Sequence, residues 1–186
     1  LDAVAAQQTF GVRLVLVHGG GKPIDRAMAA AGLEPRKVAG RRYTDDKTLE
    51  IVVRVLEDVG IQISMGLTEF DGQSRFTKAC LAGERLLLQG ADGQSIDLGR
   101  VGRVTGVDTT FLNVTLEKGD VPIIPSLAWD GGWLNVNADT AASAVAGALG
   151  ADACYFLTDT PGVLRDVKDP ASLIPRLTRA ECEALI

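Results

Sequence analysis

Three consecutive glycines stand where an apolar run changes into a helical pattern. The run "RLVLV" covers residues 13–17, and the glycines at 19–21 lead into "KPIDRAMAAAGL". Bare backbone N–H groups beside a helix N-terminus form a natural seat for an anion. Lys22 is followed by Pro23, which excludes a Walker A loop, and the GxGxxG spacing is absent as well. We therefore expect a phosphate-sized anion to bind here, with a tight strand-to-helix turn as the alternative.

The stretch "AGRRYTDD", residues 39–46, supplies two adjacent cations. Arg41 and Arg42 lie just before a pattern typical of a helix start, in a chain whose formal net charge is -5. A guanidinium can bind a carboxylate through two parallel hydrogen bonds. The stretch predicts a carboxylate-binding site, and a solvated basic loop is the alternative.

A third stretch, "WLNVNADTAA", places polar side chains at alternate positions. Asn135 and Asn137 are two residues apart, so on an extended segment they project to the same side. Asp139 follows near a predicted helix start. Amides can bind a polar substrate, and the carboxylate can orient a cationic group. Helix capping by Asn137 or Asp139 is the alternative.

A fourth stretch, "YFLTDTPGVL", covers residues 155–164. Its apolar start predicts a buried strand, and the Thr-Asp-Thr-Pro-Gly that follows predicts a tight turn. Polar groups at the carboxyl end of a parallel strand suit nucleotide phosphates or adenosine. An ordinary β-turn without a ligand is the alternative.

These stretches must be positioned by alternating helices and strands. The predicted helices are 1–10, 23–33, 44–60 with Thr44 as N-cap, 109–120, 137–151, and a last one after the N-cap Thr178. The predicted strands are 13–17, 121–128 and 152–159, with short strands and hairpins between 61 and 99. We expect an α/β fold in which a mostly parallel central sheet is sandwiched by helices, with a β-hairpin elaboration.

Composition limits the class of protein. The chain is 46% hydrophobic and 23% charged, which is typical of a soluble globular domain. Its acidic balance argues against nucleic acid or a membrane as a partner, and no apolar run approaches the roughly 20 residues of a membrane helix. Cys80, Cys154 and Cys182 have no CxxC spacing, which excludes a zinc site of that type and fits reduced thiols in the cytoplasm. His18 is the single histidine, and we interpret it as a structural hydrogen-bonding residue.

The order of the motifs is more specific than any one of them. "VHGGG", "GRRYTD", "GRVGRV", "VPIIPSLA", "LNVNADTAA", "LTDTPGVL" and "LTRAECEALI" follow one another over most of residues 10–186. This order resembles the amino acid kinase family. The resemblance implies phosphoryl transfer from ATP to the side-chain carboxylate of N-acetyl-L-glutamate in arginine biosynthesis, with Mg2+ bound through the nucleotide phosphates. It also implies a cytoplasmic homodimer or higher homo-oligomer.

The resemblance assigns roles to single residues. Gly20 and Gly21 are implied to contact the acyl-amino acid and the transferring phosphoryl group. Asp139 is implied to organise the catalytic lysines. The further substrate-binding residues that it implies are Arg42, Asn135 and Asn137. The implied nucleotide-binding turn consists of Asp159, Thr160, Pro161, Gly162, Val163 and Leu164.

The family's two catalytic lysines have no counterpart in this sequence. None of its lysines stands in the family's Lys-x-Gly-Gly or Gly-Gly-Met-x-x-Lys setting. We therefore expect a portion of a longer protein, a single domain over 1–186 in which 1–135 is mainly the acyl-amino acid lobe and 136–186 begins the ATP lobe. Two alternatives stay open: a related kinase acting on N-acetylaminoadipate in lysine synthesis, and a non-catalytic regulatory module that keeps the acyl-amino acid pocket.

Overall fold

The computed structural model describes residues 1–38, 41–89 and 93–185. It divides into a first unit, Leu1–Cys154, and a second unit, Tyr155–Ile186. The helices of the first unit are α1 (Asp2–Thr9), α2 (Gly21–Ala30), α3 (Asp46–Thr68), α4 (Thr109–Glu117) and α5 (Ala138–Leu149). Its strands are β1 (Leu16–His18), β2 (Lys37–Val38), β3 (Arg41–Arg42), β4 (Ser74–Phe76), β5 (Leu81–Gln89), β6 (Ser95–Val107), β7 (Val121–Pro125), β8 (Leu127–Trp129) and β9 (Trp133–Asn135). The second unit contains a 3-10 turn at Pro170–Ser172 and α6 (Arg179–Glu183).

A parallel sheet with the strand order β1–β7–β4 belongs to the first unit. The central strand β7 pairs with β1 from Leu16↔Ile123 to His18↔Pro125, and with β4 on its other side. All five residues of β7 are buried, as expected for a strand covered on both faces. The α/β fold with a parallel sheet and helices is confirmed. Because the strands are parallel, the loops that follow β1 and β7 meet at one edge of the sheet.

The predicted hairpin elaboration is a small closed barrel of β5, β6, β9 and β8. β5 and β6 form one antiparallel hairpin, and β8 and β9 form another. Glycines allow the barrel strands to approach closely. A Cβ at Gly83 would lie 2.7 Å from the Ala128 Cβ, and a Cβ at Gly102 would lie 2.8 Å from the Leu134 Cδ1.

Alternate residues of β7 enter different parts of the core. Ile124 packs in a cluster with Leu112 of α4 and Val145 of α5. Ile123 packs in another cluster with Ala5 of α1 and Leu67 of α3. Full burial of a side chain of this size contributes about 1.5–3 kcal/mol. The strand that ends at the candidate site is therefore held from both faces.

Helix α3 differs from the prediction at both ends. Its N-cap is Asp45, whose carboxylate accepts from the Thr48 N–H at 2.7 Å, so the prediction that Thr44 caps the helix is wrong. The helix continues through Gly60 to Thr68, so the strand-like interpretation of residues 61–68 is wrong as well. The sequence pattern misled because Gly60 reads as a helix stop. Here the glycine makes room for Phe76, whose ring would collide with a Cβ at that position.

Helix α1 is attached to the sheet through the side chain of Gln8. The Gln8 amide donates to the Gln73 carbonyl at 2.7 Å and to the Gly119 carbonyl at 2.5 Å. Its carbonyl oxygen accepts from the Gln73 N–H at 3.0 Å. The side chain thus binds both backbone groups of the residue that precedes β4. Gly11 has a φ of 77°, in agreement with its predicted role at the end of this helix.

The strand predicted for residues 152–159 is not formed, since these residues have no regular secondary structure. That prediction is wrong because no strand among the described residues pairs with the segment, and Tyr155 and Leu157 are 85% and 96% exposed. The predicted cap at Thr178 is confirmed. Its hydroxyl accepts from the Glu181 N–H, and the Glu181 carboxylate accepts from the Thr178 N–H, which is a capping box. Across the described residues, no helix is both long and apolar enough to span a membrane.

Candidate functional site

The glycine junction lies where β1 ends and α2 begins. Gly20 is the N-cap of α2, and no side chain caps that helix. None of the three glycines has a positive φ, so the alternative of a turn that needs a left-handed conformation fails. The close neighbours explain them instead. A Cβ at Gly19 would lie 3.1 Å from the Ala138 Cβ, and one at Gly20 would lie 3.0 Å from the Leu56 Cδ2, whereas Gly21 faces open space.

Backbone hydrogen bonds bring three loops to this junction. The Ser126 N–H, just after β7, donates to the His18 carbonyl at 2.9 Å. The Val136 N–H, just after β9, donates to the Ser126 carbonyl at 3.1 Å. The glycines, Ser126 and the start of α5 therefore lie side by side at the carboxyl edge of the sheet. A helix N-terminus with backbone N–H groups that lack intrahelical acceptors suits an anion such as a nucleotide phosphate.

Arg42 belongs to β3 and is not part of a solvated loop. Its Nη2 lies 2.5 Å from the Asp25 Oδ1 of α2, and its Nη1 lies 3.2 Å from the Met28 Sδ. The Arg42 side chain is only 11% exposed. Asp25 lies about one helical turn after Gly21. This ion pair therefore keeps the guanidinium beside the helix that starts at the glycine junction.

Asn135 is the last residue of β9 and is joined to the loop after Arg42. Its Nδ2 donates to the Thr44 Oγ1 at 3.1 Å, and that hydroxyl donates to the Arg42 carbonyl at 3.1 Å. Two of the residues that the sequence predicts to bind substrate are thus connected through one hydroxyl group.

Asn137 and Asp139 lie at the N-terminus of α5. The Asn137 Oδ1 accepts from the Thr140 N–H at 2.8 Å, so the capping interpretation of this residue is correct. Asp139 lies in the first turn of α5 and is exposed. A carboxylate at this end of a helix is stabilised by the helix dipole, and Asp139 remains accessible to a cationic group.

His18 has the structural role expected from the sequence. Its Nδ1 lies 3.2 Å from the Gly19 carbonyl oxygen, which can only accept, so the proton is on Nδ1. Its Nε2 is buried and has no hydrogen-bond partner among the described residues. Burial lowers the pKa of His18, while the bond to Gly19 raises it by less. The ring is therefore held neutral beside the glycines.

The predicted nucleotide-binding turn lies in the second unit. Most of residues 159–164 are exposed, and the turn is stabilised from within its own unit. The Ile174 N–H donates to the Val163 carbonyl at 2.8 Å, and Leu164 pairs with Leu173 in an isolated bridge. Gly162 has a φ of 137°, which a residue other than glycine rarely adopts.

Three residues at this edge were not predicted from the sequence to belong to the site. Asp25 and Thr44 support Arg42, and Lys78 follows β4. Lys78 forms an ion pair with Glu57 and lies 5.4 Å from the Trp133 ring centroid. Only for Thr44 did the sequence carry a signal, since it lies in the "RRYTD" stretch, but the pattern predicted a cap. Among the described residues, no group of three or more His, Cys, Asp or Glu side chains forms a metal site.

The comparisons with known proteins identify the family of this chain. The amino acid kinase family model matches residues 1–186. The chain belongs to the amino acid kinase family. It is 42% identical over 184 residues to an acetylglutamate kinase of Anaeromyxobacter dehalogenans, covering 94% of this chain and 68% of that protein. It is 46% identical over 173 residues to an acetylglutamate kinase of Thermus thermophilus, covering 92% of this chain and 67% of that protein. The resemblance predicted from the sequence is confirmed.

Solved structures extend the family likeness to three dimensions. A Streptococcus mutans crystal structure has a TM-score of 0.78 and 30% identity, covering 88% of this chain and 66% of that one. An N-acetylglutamate synthase of Neisseria gonorrhoeae, complexed with coenzyme A and N-acetyl-glutamate, has a TM-score of 0.76 and 26% identity, covering 89% and 38%. The chain spans about two thirds of the length of the two acetylglutamate kinases that it matches. Membership of this kinase family implies the use of ATP.

Proposed function

We propose that this chain carries the substrate-binding part of an ATP-dependent kinase that phosphorylates the side-chain carboxylate of N-acetyl-L-glutamate. One observation supports this above the others: a nearly buried arginine and an asparagine are joined through one hydroxyl beside a glycine junction that opens a helix. A cation, an amide and a helix N-terminus match the carboxylate, the acetamido group and the phosphoryl group of such a reaction. The matched relatives are named for the same substrate.

Arg42 is proposed to bind the α-carboxylate of the substrate. Its guanidinium is already held by Asp25, which lowers the entropy lost when a second carboxylate binds. Asn135, and Asn137 through the amide nitrogen that takes no part in the cap, are proposed to donate to the acyl-amino acid. These contacts would hold the reacting carboxylate still for in-line attack, which is the main requirement of phosphoryl transfer.

The glycine junction is proposed to face the transferring phosphoryl group. Gly21 faces open space, so its backbone can approach a phosphate without a side chain in between. Mg2+, when it is bound to the nucleotide phosphates, neutralises part of their charge. Asp139 is proposed to orient the cationic side chains of the catalytic machinery, and residues 159–164 are proposed to bind the nucleotide. The exposed carboxylate in the first turn of α5 supports the first role.

The assembly and the location are proposals as well. A cytoplasmic location is supported by three cysteines that are all unpaired, since reducing compartments keep thiols free. Sedimentation of the purified protein would test the proposed homodimer or higher homo-oligomer, and fractionation of cells would test the location.

A coupled assay of the full-length gene product tests the reaction. We expect turnover of MgATP with N-acetylglutamate and much slower turnover with N-acetylaminoadipate. Faster turnover of the longer substrate would replace the proposed substrate, and binding of N-acetylglutamate without turnover would support a non-catalytic module.

The role of Asp139 is tested in the same assay. Asp139→Asn is expected to lower kcat by about 100-fold or more with little change in the Kd for N-acetylglutamate, because the carboxylate is proposed to act on the catalytic cations. Asp130→Asn, in the exposed turn between β8 and β9, is the matched control. Unchanged kcat for Asp139→Asn would remove this residue from the site.

A further inference from the structure

Thr44 is a polar residue without any exposed surface. Its relative exposure is 0%, and it is one of few buried polar residues in the described chain. The sequence pattern predicts a helix cap, yet Asp45 caps α3. Burying a hydroxyl is unfavourable unless it is hydrogen-bonded, so the partners of this hydroxyl should explain why it is there.

The hydroxyl of Thr44 connects two strands that are far apart in sequence. It donates to the carbonyl of Arg42 on β3 at 3.1 Å and accepts from the Nδ2 of Asn135 on β9 at 3.1 Å. Ninety-one residues separate Asn135 from Thr44. Both residues that this hydroxyl contacts are proposed above to bind the acyl-amino acid.

The backbone of Thr44 is fixed as firmly as its side chain. Its N–H donates to the Leu98 carbonyl at 3.0 Å, and its carbonyl accepts from the Arg100 N–H at 2.6 Å. Gly99, between these partners, has a φ of 74°, and a Cβ there would collide with the Thr44 carbonyl oxygen. Two residues of β6 therefore bind the backbone of Thr44, which fixes the orientation of its hydroxyl group.

We propose that Thr44 is a positioning residue that sets the distance between Arg42 and Asn135, and thereby the fit of the pocket to the acyl-amino acid. This inference rests on the proposed function. A substrate with a carboxylate and an acetamido group on one carbon presents its two groups at a fixed separation. A pocket that binds both groups needs its own two contacts at the matching separation. A displacement of about 1 Å can lower the rate of a reaction by up to about 100-fold. Thr44 supplies this constraint without touching the substrate.

The test compares Thr44→Val with Thr44→Ser in the full-length gene product. Valine keeps the shape and removes the hydroxyl, so both hydrogen bonds are lost and the Asn135 amide has no partner at this position. We expect the KM for N-acetylglutamate to rise about 5- to 100-fold, while the KM for MgATP changes by less than about twofold. Serine keeps the hydroxyl and is expected to restore most of the wild-type KM. A purely structural role would change the melting temperature and leave the ratio of the two KM values unchanged.

A second measurement does not need a variant at position 44. In the wild-type protein, the side-chain amide protons of Asn135 are expected to exchange with solvent more slowly than those of Asn113, which is exposed on α4. Equal exchange would overturn the inference even if Thr44→Val does not fold.

The remaining outcomes separate this inference from the proposed function. An active wild-type enzyme whose Thr44→Val variant keeps the KM for N-acetylglutamate overturns the inference alone. A wild-type protein that neither binds nor phosphorylates N-acetylglutamate overturns the proposed function and this inference together.

Discussion

Residues 121–125 and residues 155–157 are both short apolar runs that the sequence predicts to be buried strands. In the first unit, β7 has a strand on each side, and all of its residues are buried. In the second unit, residues 155–157 pair with no strand in the described chain, and all three are exposed. Apolar composition is the same signal in both places. The difference teaches that a strand forms where neighbours supply both hydrogen bonds and cover, because β-propensity measures the surroundings more than the residue.

The same contrast holds for the candidate site residues. Arg42 and Asn135, in the first unit, are held by contacts with Asp25 of α2 and with Thr44, which lies between β3 and α3. The turn at 159–164, in the second unit, is held by contacts to residues 172–174. The first arrangement joins residues that are far apart in the sequence, and the second is stabilised by local bonds. Substitutions at four positions test how far this contrast goes.

The largest effect is expected in the centre of the sheet. Ile123→Ala removes a fully buried side chain between α1 and α3 and should lower the free energy of unfolding by about 2–5 kcal/mol. Urea denaturation measures this. Val114→Ala, on the exposed face of α4, is the control. A loss below about 1 kcal/mol would mean that β7 is not the organising strand.

The next effect concerns the ligand and not the fold. Arg42→Ala should remove about 2–4 kcal/mol of charge-assisted binding free energy. The KM for N-acetylglutamate should therefore rise roughly 30- to 700-fold. The KM for MgATP should change much less. Arg41→Ala, the neighbouring arginine, is the matched control in the same assay. Equal effects of the two substitutions on this KM would mean that Arg42 contributes only its positive charge and makes no specific contact with the substrate.

A smaller effect is expected at the start of α3. Asp45→Ala removes the cap and should cost about 1 kcal/mol of stability at neutral pH. The bonds from Thr48 lower the pKa of Asp45 from its ordinary value of 3.8. The stabilisation is therefore complete above a pH of about 4 and is lost as the pH falls through the lowered pKa.

Asp45→Asn separates the cap from its charge, because asparagine caps a helix about as well and does not titrate. The difference in stability between Asp45→Asn and wild type should become smaller as the pH falls below about 4. If this difference in stability does not change between about pH 3 and pH 7 by more than the measurement error, the assigned cap is contradicted.

The smallest effect is expected in the second unit. Leu157→Ala shortens a side chain that is almost fully exposed and should change stability by no more than about 0.5 kcal/mol. Urea denaturation of this variant and of Ile123→Ala compares the loss in the free energy of unfolding at the two apolar runs. A destabilisation above about 2 kcal/mol would show that the leucine is buried in solution and would remove the contrast between the units.

The sequence predicted correctly those features that depend on interactions between neighbouring residues. The cap at Thr178, the end of α1 at Gly11 and a buried strand that begins at Val121 depend on a few adjacent residues, and these predictions are confirmed. The predicted strand over 121–128 is divided at Ser126 into β7 and β8. The motif order also predicted the family. The start of α3 was missed by one residue, since Thr44 and Asp45 are both good capping residues and only the fold decides between them.

Other features have no local signal. The bond between Asn135 and Thr44 spans 91 residues, and the pairing of Arg42 with Asp25 depends on how β3 packs on α2. Gly60 reads as a helix end and turns out to be a contact surface for Phe76. Such features follow from the packing of whole elements, which single-residue preferences do not contain.

The bonds of Gln8 have a consequence for how this part of the chain opens locally. The Gln73 carbonyl also accepts from the Val121 N–H of β7, and the Gln8 amide donates to the Gly119 carbonyl as well. Gln8 therefore lies on the side of Gln73 that faces β7, and it joins the residues that lie just before β4 and β7. If α1 unfolds locally, the Gln73 N–H and the Gly119 carbonyl each lose a partner, so the starts of both strands are expected to exchange amide hydrogens with solvent when that helix does.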